Sequence, residues 1–343
     1  MPELPEVETV RAGLAALISG STVRAVDVRR DSCVRLLPGG SRQFAGMLAD
    51  ARIASVARRG KFLWLPLLHG EETQPAEALS AHLGMSGQFR VHEGAEAPEP
   101  HPHCRARLHL ERDGRPLTLD FLDQRTFGYL HVEPLVPTAD ARDGGAGTDL
   151  AAVPGSVAHI GRDALDPHLD ATAATRAWRR GNRGIKQVLL DQTLVSGIGN
   201  IYADEALWRT ALHGERPGLR LRAVVVRALL GHVREVMTQA LAQGGTSFDA
   251  LYVNVNGQSG YFDRSLDAYG QEGRPCARCG TPIRRVAFMN RSSFFCPRCQ
   301  PVPRTRRARP PVAPPSRRPT TTPPVTRPPS PGPGPVPGPV REV

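Results

Sequence analysis

Four cysteines stand in two pairs, Cys276-x-x-Cys279 and Cys296-x-x-Cys299, with sixteen residues between the pairs. This spacing suits tetrahedral thiolate coordination of one zinc ion, and a fully occupied tetrahedron leaves no position open for a substrate. The expected metal is therefore structural. The other two cysteines, Cys33 and Cys104, read as ordinary thiols, so the even count does not imply a disulfide framework. Amine chemistry is scarce by contrast. Of 44 basic residues only Lys61 and Lys186 are lysines. Arginine stays charged and cannot act as an amine nucleophile, whereas lysine can. A third feature is the turn Gly197-Ile198-Gly199 before Asn200. Glycines there allow close backbone approach to a phosphate, and a helix opening at Asn200 would present free N–H groups to it. An ordinary helical hairpin reads the same way.

Several elements must position these groups. Val7, Val10, Leu14, Leu17 and Ile18 recur on one helical face, predicting a helix over 5–19 that Gly20 closes. From about Val23 to Val132, short apolar runs alternate with turn signals, predicting an antiparallel β-sandwich or barrel. Residues 136–156 are rich in Pro, Gly, Ala, Thr and Asp and read as a linker. The pattern over 171–243 is helical, and a Gly-rich loop follows at 244–262. Between the cysteine pairs, Ile283-Arg-Arg-Val and Ser293-Phe-Phe predict a two-stranded hairpin. The expected division is thus a sandwich domain at 1–135, the linker, a helical domain at 157–270, a zinc finger at 271–300 and a tail at 301–343. That tail holds 16 of the 33 prolines, and its composition predicts an extended, disordered segment.

The formal charge is +11 over 343 residues, which favours a polyanionic partner. Eight arginines and one glutamate put +7 of this in the last 43 residues, leaving +4 for residues 1–300. Nucleic-acid binding must therefore be argued from sites. No apolar run approaches the roughly 20 residues needed to span a bilayer. The start, Met1-Pro2-Glu3-Leu4-Pro5-Glu6, lacks the pattern of a signal peptide, so a cytoplasmic protein is expected.

The segment Ile185–Glu205 resembles the helix–two-turn–helix element of the formamidopyrimidine-DNA glycosylase and endonuclease VIII family. Five further stretches match that family in collinear order. They are Pro2-Glu3-Leu4-Pro5-Glu6-Val7-Glu8, Arg58-Arg-Gly-Lys61-Phe-Leu, His82-Leu-Gly-Met85-Ser-Gly, Asp123-Gln-Arg125-Thr-Phe127-Gly and Gly273-Arg-Pro-Cys276. The resemblance covers about residues 1–300 and leaves the tail without a counterpart. The start Pro-Glu-Leu-Pro-Glu is similar to the purine-excising branch, whereas the endonuclease VIII branch usually reads Pro-Glu-Gly-Pro-Glu.

The resemblance implies an α+β fold: an N-terminal antiparallel β-sandwich flanked by helices, then a helix–two-turn–helix domain with a four-cysteine zinc hairpin. It implies a monomer acting on damaged duplex DNA, in the cytosol or nucleoid of a bacterium, as a bifunctional glycosylase and strand-cutting lyase. Its nucleophile would be Pro2. Removal of Met1 leaves a secondary amine there, and an α-amino pKa near roughly 8 leaves an appreciable neutral fraction at pH 7. Such an amine can displace a damaged base and form a Schiff base on the sugar. By resemblance, Glu3 protonates the opened sugar or assists base departure, and Glu6 binds the lesion. Lys61 is a phosphate clamp or the acid for elimination on the 3′ side, and Arg291 serves the second elimination on the 5′ side.

Reaching a sugar carbon inside the stack requires base flipping, and something must fill the gap. Met85, Arg125 and Phe127 match the family's inserted residues, and apolar wedges that unstack DNA are an established device. Gln124 and Thr126 depart from the commoner Asp-Pro-Arg-Arg-Phe-Gly, which touches local backbone shape and leaves the inserted side chains in place. Asn200, Arg183, Arg291 and His101 are expected phosphate partners; a solvated loop histidine is the other reading of His101. Lys186 is either a phosphate contact or a structural residue. Two rival readings stand beside this one: an endonuclease VIII-like enzyme for oxidised pyrimidines, and a non-catalytic nucleic-acid-binding protein.

Overall fold

The computed structural model describes residues 2–245, 265–303, 332 and 334. Residues 2–245 and 265–303 belong to one compact unit, and the tail expected to be extended lies, beyond Pro303, outside the described residues apart from 332 and 334.

The first helix, α1 (Leu4–Ile18), has Pro5 in its first turn, where a missing N–H costs nothing. Val7, Val10, Leu14 and Ile18 are buried, as the spacing predicts. They enter a core that draws from two groups of strands. One group holds β4 (Phe62–Leu68), β5 (Glu77–His82) and β9 (Tyr129–Pro137). The other holds β6 (Gly87–Glu93), β7 (Cys104–Arg112) and β8 (Arg115–Asp123). Strands β1 (Thr22–Val28) and β2 (Arg52–Ile53) join the groups. With β10 (Ala152–Pro154) they complete the antiparallel path β10-β9-β5-β4-β2-β1-β7-β8-β6, and β3 (Ala57–Arg59) pairs off it with β4. The expected sandwich is therefore one continuous sheet whose two halves share a core with α1. A short helix, α2 (Gly40–Leu48), adds Phe44 and Leu48.

Residues 136–156, which composition marks as a linker, carry the end of β9 and all of β10. Arg58 and Ala146 exchange backbone hydrogen bonds at 2.9 Å, so the segment is packed against the sheet. Its apolar stretch is too short for any period to show.

Four helices build the second core: α3 (Ala171–Trp178), α4 (Ile185–Leu189), α5 (Asn200–Arg209) and α6 (Ala223–Ala242). Leu4 packs in this core, whereas the rest of α1 packs in the first. The N-terminus therefore bridges the two. The zinc hairpin comprises β11 (Arg284–Phe288) and β12 (Arg291–Phe295), joined by Met289 and Asn290, which both have positive φ, 44° and 58°. That is the two-residue turn whose twist matches paired strands. The loop expected at 244–262 lies outside the described residues from 246 onward.

Candidate active site

Helix α5 begins on Gly199 with no side-chain cap of its own. The missing acceptor comes from the opposite end of the sequence: the buried Glu3 carboxylate accepts N–H bonds from Ile201 (3.0 Å) and Tyr202 (3.4 Å). A negative group at a helix N-terminus meets the positive end of the dipole. The fit requires glycine at 199, because a Cβ there would overlap the Glu3 carboxyl. Glu6 completes the lock. Its Oε2 accepts the Glu3 backbone N–H at 2.9 Å and its Oε1 accepts the Tyr202 hydroxyl at 2.7 Å. Glu6 was expected to bind the lesion; in the free protein it holds Glu3 and α5 together.

Burial raises the pKa of Glu3 above the ordinary carboxylate range, although Lys61 and the two backbone donors oppose the shift. Lys61 moves the other way. Burial lowers it most, and Arg291 lowers it further against the attraction of Glu3 and Glu6. Its Nζ donates to Ile198 O at 2.9 Å. Pro2, Lys61 and Arg291 line one cleft of about 280 Å³. Pro2, whose nitrogen would be a secondary amine once Met1 is removed, thus shares a single space with a lysine of lowered pKa and an arginine, and a buried acid adjoins it.

His82 lines the same cleft, stacked on Tyr129 with centroids 5.2 Å apart. Its Nδ1 accepts the Gly84 N–H at 3.1 Å, which leaves a ring proton on Nε2. Burial, helped by Arg35 and Lys61, lowers its pKa and favours the neutral ring. Sequence reasoning placed His82 in a motif without giving it a role. It chose His101 instead, which lies in the turn before β7, exposed and absent from the cleft lining.

The three residues expected to form a wedge lie near one another on one ledge. Met85 and Phe127 are 42% and 56% exposed, which rules out core packing for both. The Arg125 guanidinium lies 3.8 Å from the Met85 sulfur. Asp123 shapes the ledge by accepting from Ser86 Oγ (2.6 Å), Arg125 N (3.2 Å) and Gly128 N (2.7 Å). Gly84 has φ +58°, and a Cβ on it would come within 2.7 Å of Gly128 N, so the two loops meet only through glycine. The departure at Thr126 is absorbed by a left-handed backbone, φ 56°.

The remaining predicted residues are spread around this centre. Arg183 is exposed and paired with Asp191 at 2.9 Å. Asn200 donates from its amide to Ser292 O at 2.7 Å, tying the start of α5 to the hairpin. Lys186 is fully buried, its Nζ 2.6 Å from Asp204 and 4.8 Å from the centre of the Phe288 ring. Of its two readings the structural one stands.

The sulfurs of Cys276, Cys279, Cys296 and Cys299 all lie within 4.8 Å of one another, the shortest separations being 3.5 Å. A tetrahedron with Zn–S bonds of about 2.3 Å places its sulfurs about 3.8 Å apart. The four thiols fit one structural zinc ion.

Three family models match in order. The formamidopyrimidine-DNA glycosylase N-terminal domain matches residues 1–130, the H2TH domain of the same enzyme matches 160–250, and the zinc finger found in FPG and IleRS matches 273–302. A formamidopyrimidine-DNA glycosylase of Nocardioides sp. is 56% identical over 308 residues, covering 90% of this chain and 97% of the relative. The chain belongs to the formamidopyrimidine-DNA glycosylase family. It is a DNA glycosylase of base excision repair, with damaged DNA as its partner and one structural zinc. Among solved structures, the MutM (FPG) protein of Thermus thermophilus aligns with TM-score 0.69 at 35% identity, covering 87% of this chain and 98% of that one. A Lactococcus lactis FPG variant in complex with a Fapy-dG containing DNA aligns with TM-score 0.71 at 28% identity, covering 88% and 100%. No helix among the described residues is long and apolar enough to cross a membrane.

Proposed function

We infer that the chain releases oxidised purines and then cuts the strand through an amine intermediate on Pro2. The observation that carries this reading is the shared cleft of Pro2, Lys61 and Arg291, with Glu3 locked beside it under α5. The Pro2 nitrogen attacks the sugar carbon C1′, and the bond from C1′ to the base breaks as the base leaves with a proton. Glu3, whose pKa burial raises above the ordinary carboxylate range, supplies a proton to the opening sugar ring. Loss of the ring oxygen from C1′ leaves a Schiff base, whose positive nitrogen acidifies the C2′ proton. Removal of that proton expels the 3′ phosphate, and a second elimination beside Arg291 expels the 5′ phosphate. Lys61, whose pKa is lowered by burial, is suited to moving protons in the first elimination.

Met85 and Phe127 would occupy the gap left by the flipped nucleotide, with Arg125 facing the orphaned base. Asn200, Arg183 and His82 supply phosphate contacts, and Glu6 keeps Glu3 in place. His101 has the weakest support, since it does not line the cleft. Catalysis belongs to 1–135 with Arg291 of the zinc finger, DNA grip to 157–270 and 271–300, and the cell compartment is the bacterial cytoplasm.

Borohydride trapping on duplex containing 8-oxoguanine, followed by peptide mapping, should place the DNA on the first residue of the processed chain. A cross-link on Lys61 or Lys186 would overturn the assignment. A parallel duplex carrying an oxidised pyrimidine tests the purine preference.

A further inference from the structure

Three residues of α5 point at the zinc hairpin from positions i, i+4 and i+8, which form one stripe of a helix. Asn200 donates to Ser292 O at 2.7 Å. Asp204 accepts from the Ser293 hydroxyl at 3.1 Å and from Phe294 N at 2.9 Å. Trp208 comes last, and its contact differs in kind. Its indole N–H donates to the sulfur of Cys276 at 3.4 Å. The face of the ring is covered by Arg278, whose guanidinium carbon lies 3.8 Å from the ring centre and whose Nη2 donates to Trp208 O. Cys276 and Arg278 belong to the same C-x-x-C knuckle, so the indole is clasped by the segment that carries two of the four zinc ligands. Trp208 and Cys276 are both buried, at 7% and 2% exposure, so no water competes freely for the bond.

We propose that Trp208 is a positioning residue for the zinc site, and that its N–H···S bond to Cys276 retains the metal and fixes the hairpin's register on α5. A thiolate ligand carries excess negative charge, and an N–H aimed at it stabilises the ligating form and fixes its orientation. Outer partners of this sort are worth about 10–100-fold in metal affinity. Packing alone does not require the nitrogen, since phenylalanine would fill most of the same space. The bond also links the zinc ion to the chemistry at a distance. The hairpin that it steadies ends in the Met289-Asn290 turn, from which Arg291 reaches the cleft. The same helix, two turns back, is capped by Glu3.

The test is the rate at which a chelator in excess removes zinc from the full-length chain, compared between wild type and Trp208→Phe. About tenfold or faster release is expected from Trp208→Phe, and wild-type release would overturn the proposal. Trp208→Leu should lose zinc no more than a few-fold faster than Trp208→Phe; a far larger loss would assign the effect to packing and overturn the role of the N–H. Should the variants fail to fold, the wild-type protein labelled with ¹⁵N at its three tryptophans answers the question. Trp64 and Trp178 lie in other cores, so only the Trp208 indole signal should move on chelation. Three unmoved indole signals would overturn the bond. None of these readings depends on the chemistry at Pro2.

Discussion

Glu3 is pulled in two directions. Burial favours its neutral form, whereas the amides of α5 and the Lys61 ammonium favour the anion, and burial prevails. A carboxyl whose folded pKa is raised holds its proton to higher pH than the unfolded chain does. Its contribution to stability is complete below the ordinary carboxylate pKa and is lost as pH rises through the folded value. As a proton donor it should fail over the same interval, so base release is expected to fall on the alkaline side of that pKa. Glu3→Gln should remove this limb and slow release of 8-oxoguanine by about 10²–10⁴-fold, while a preformed abasic site still yields a borohydride adduct. Wild-type release by Glu3→Gln, measured in single turnover, would exclude Glu3 as the acid. The paired cysteines were legible because their type and spacing restrict what they can do, whereas Pro2 stands out only through the resemblance of its segment to the family. His82 was not legible. Its place in the cleft follows from the β5–β9 pairing that stacks it on Tyr129, a contact between residues far apart in the chain. Lys186 was ambiguous for a similar reason, since its partner Asp204 lies one turn-and-helix later.

At the scale of elements, α5 is the member on which the rest is hung. Besides its stripe toward the hairpin, it carries Glu205, which accepts the N–H groups of Asp267, Ala268 and Tyr269 at 2.8–3.1 Å. It also buries the Lys186–Asp204 pair. Removing one member of such a pair leaves an uncompensated charge and costs about 3–5 kcal/mol. Asp204→Asn should therefore lower unfolding free energy by that amount in denaturant titrations of the zinc-loaded protein. Adding Lys186→Met should restore more than half of it, because the introduced amide oxygen can still accept from Phe294 N and no charge remains buried. If the double variant is as weak as the single one, the loss lies in the hairpin contacts instead. Helical periodicity located α1 to within one residue at each end, and the cysteine spacing located the hairpin. Strand order escaped: β1 lies between β2 and β7, and β6 pairs with β8, arrangements set by packing across the core and carried by no local pattern. Segment 136–156 escaped because two isolated apolar residues, Val136 and Val153, suffice to pin it.

The whole molecule carries most of its excess charge after the zinc hairpin. The eight arginines of the tail have no aromatic residues among them with which to build a reader, so they can act only on the phosphate field. Deleting 304–343 should flatten the slope of log affinity against log salt by about 0.9 for each phosphate no longer neutralised. Binding to damaged and intact duplex should weaken alike. A tenfold drop in the damaged-to-intact ratio at unchanged slope would make the tail a recognition element. A different consequence follows from the lock between Glu3 and α5. Pro2 is buried, Leu4 N bonds to Gly197 O at 3.1 Å, and Glu3 has no seat until Ile201 and Tyr202 exist. During synthesis at about 5–20 residues per second, some 200 residues take roughly 10–40 s to appear. For that interval α1 can pack against the first core, but Glu3 lacks the α5 amides that seat it in the folded protein. The lock joins residues almost two hundred positions apart, so it closes only after α5 has been made.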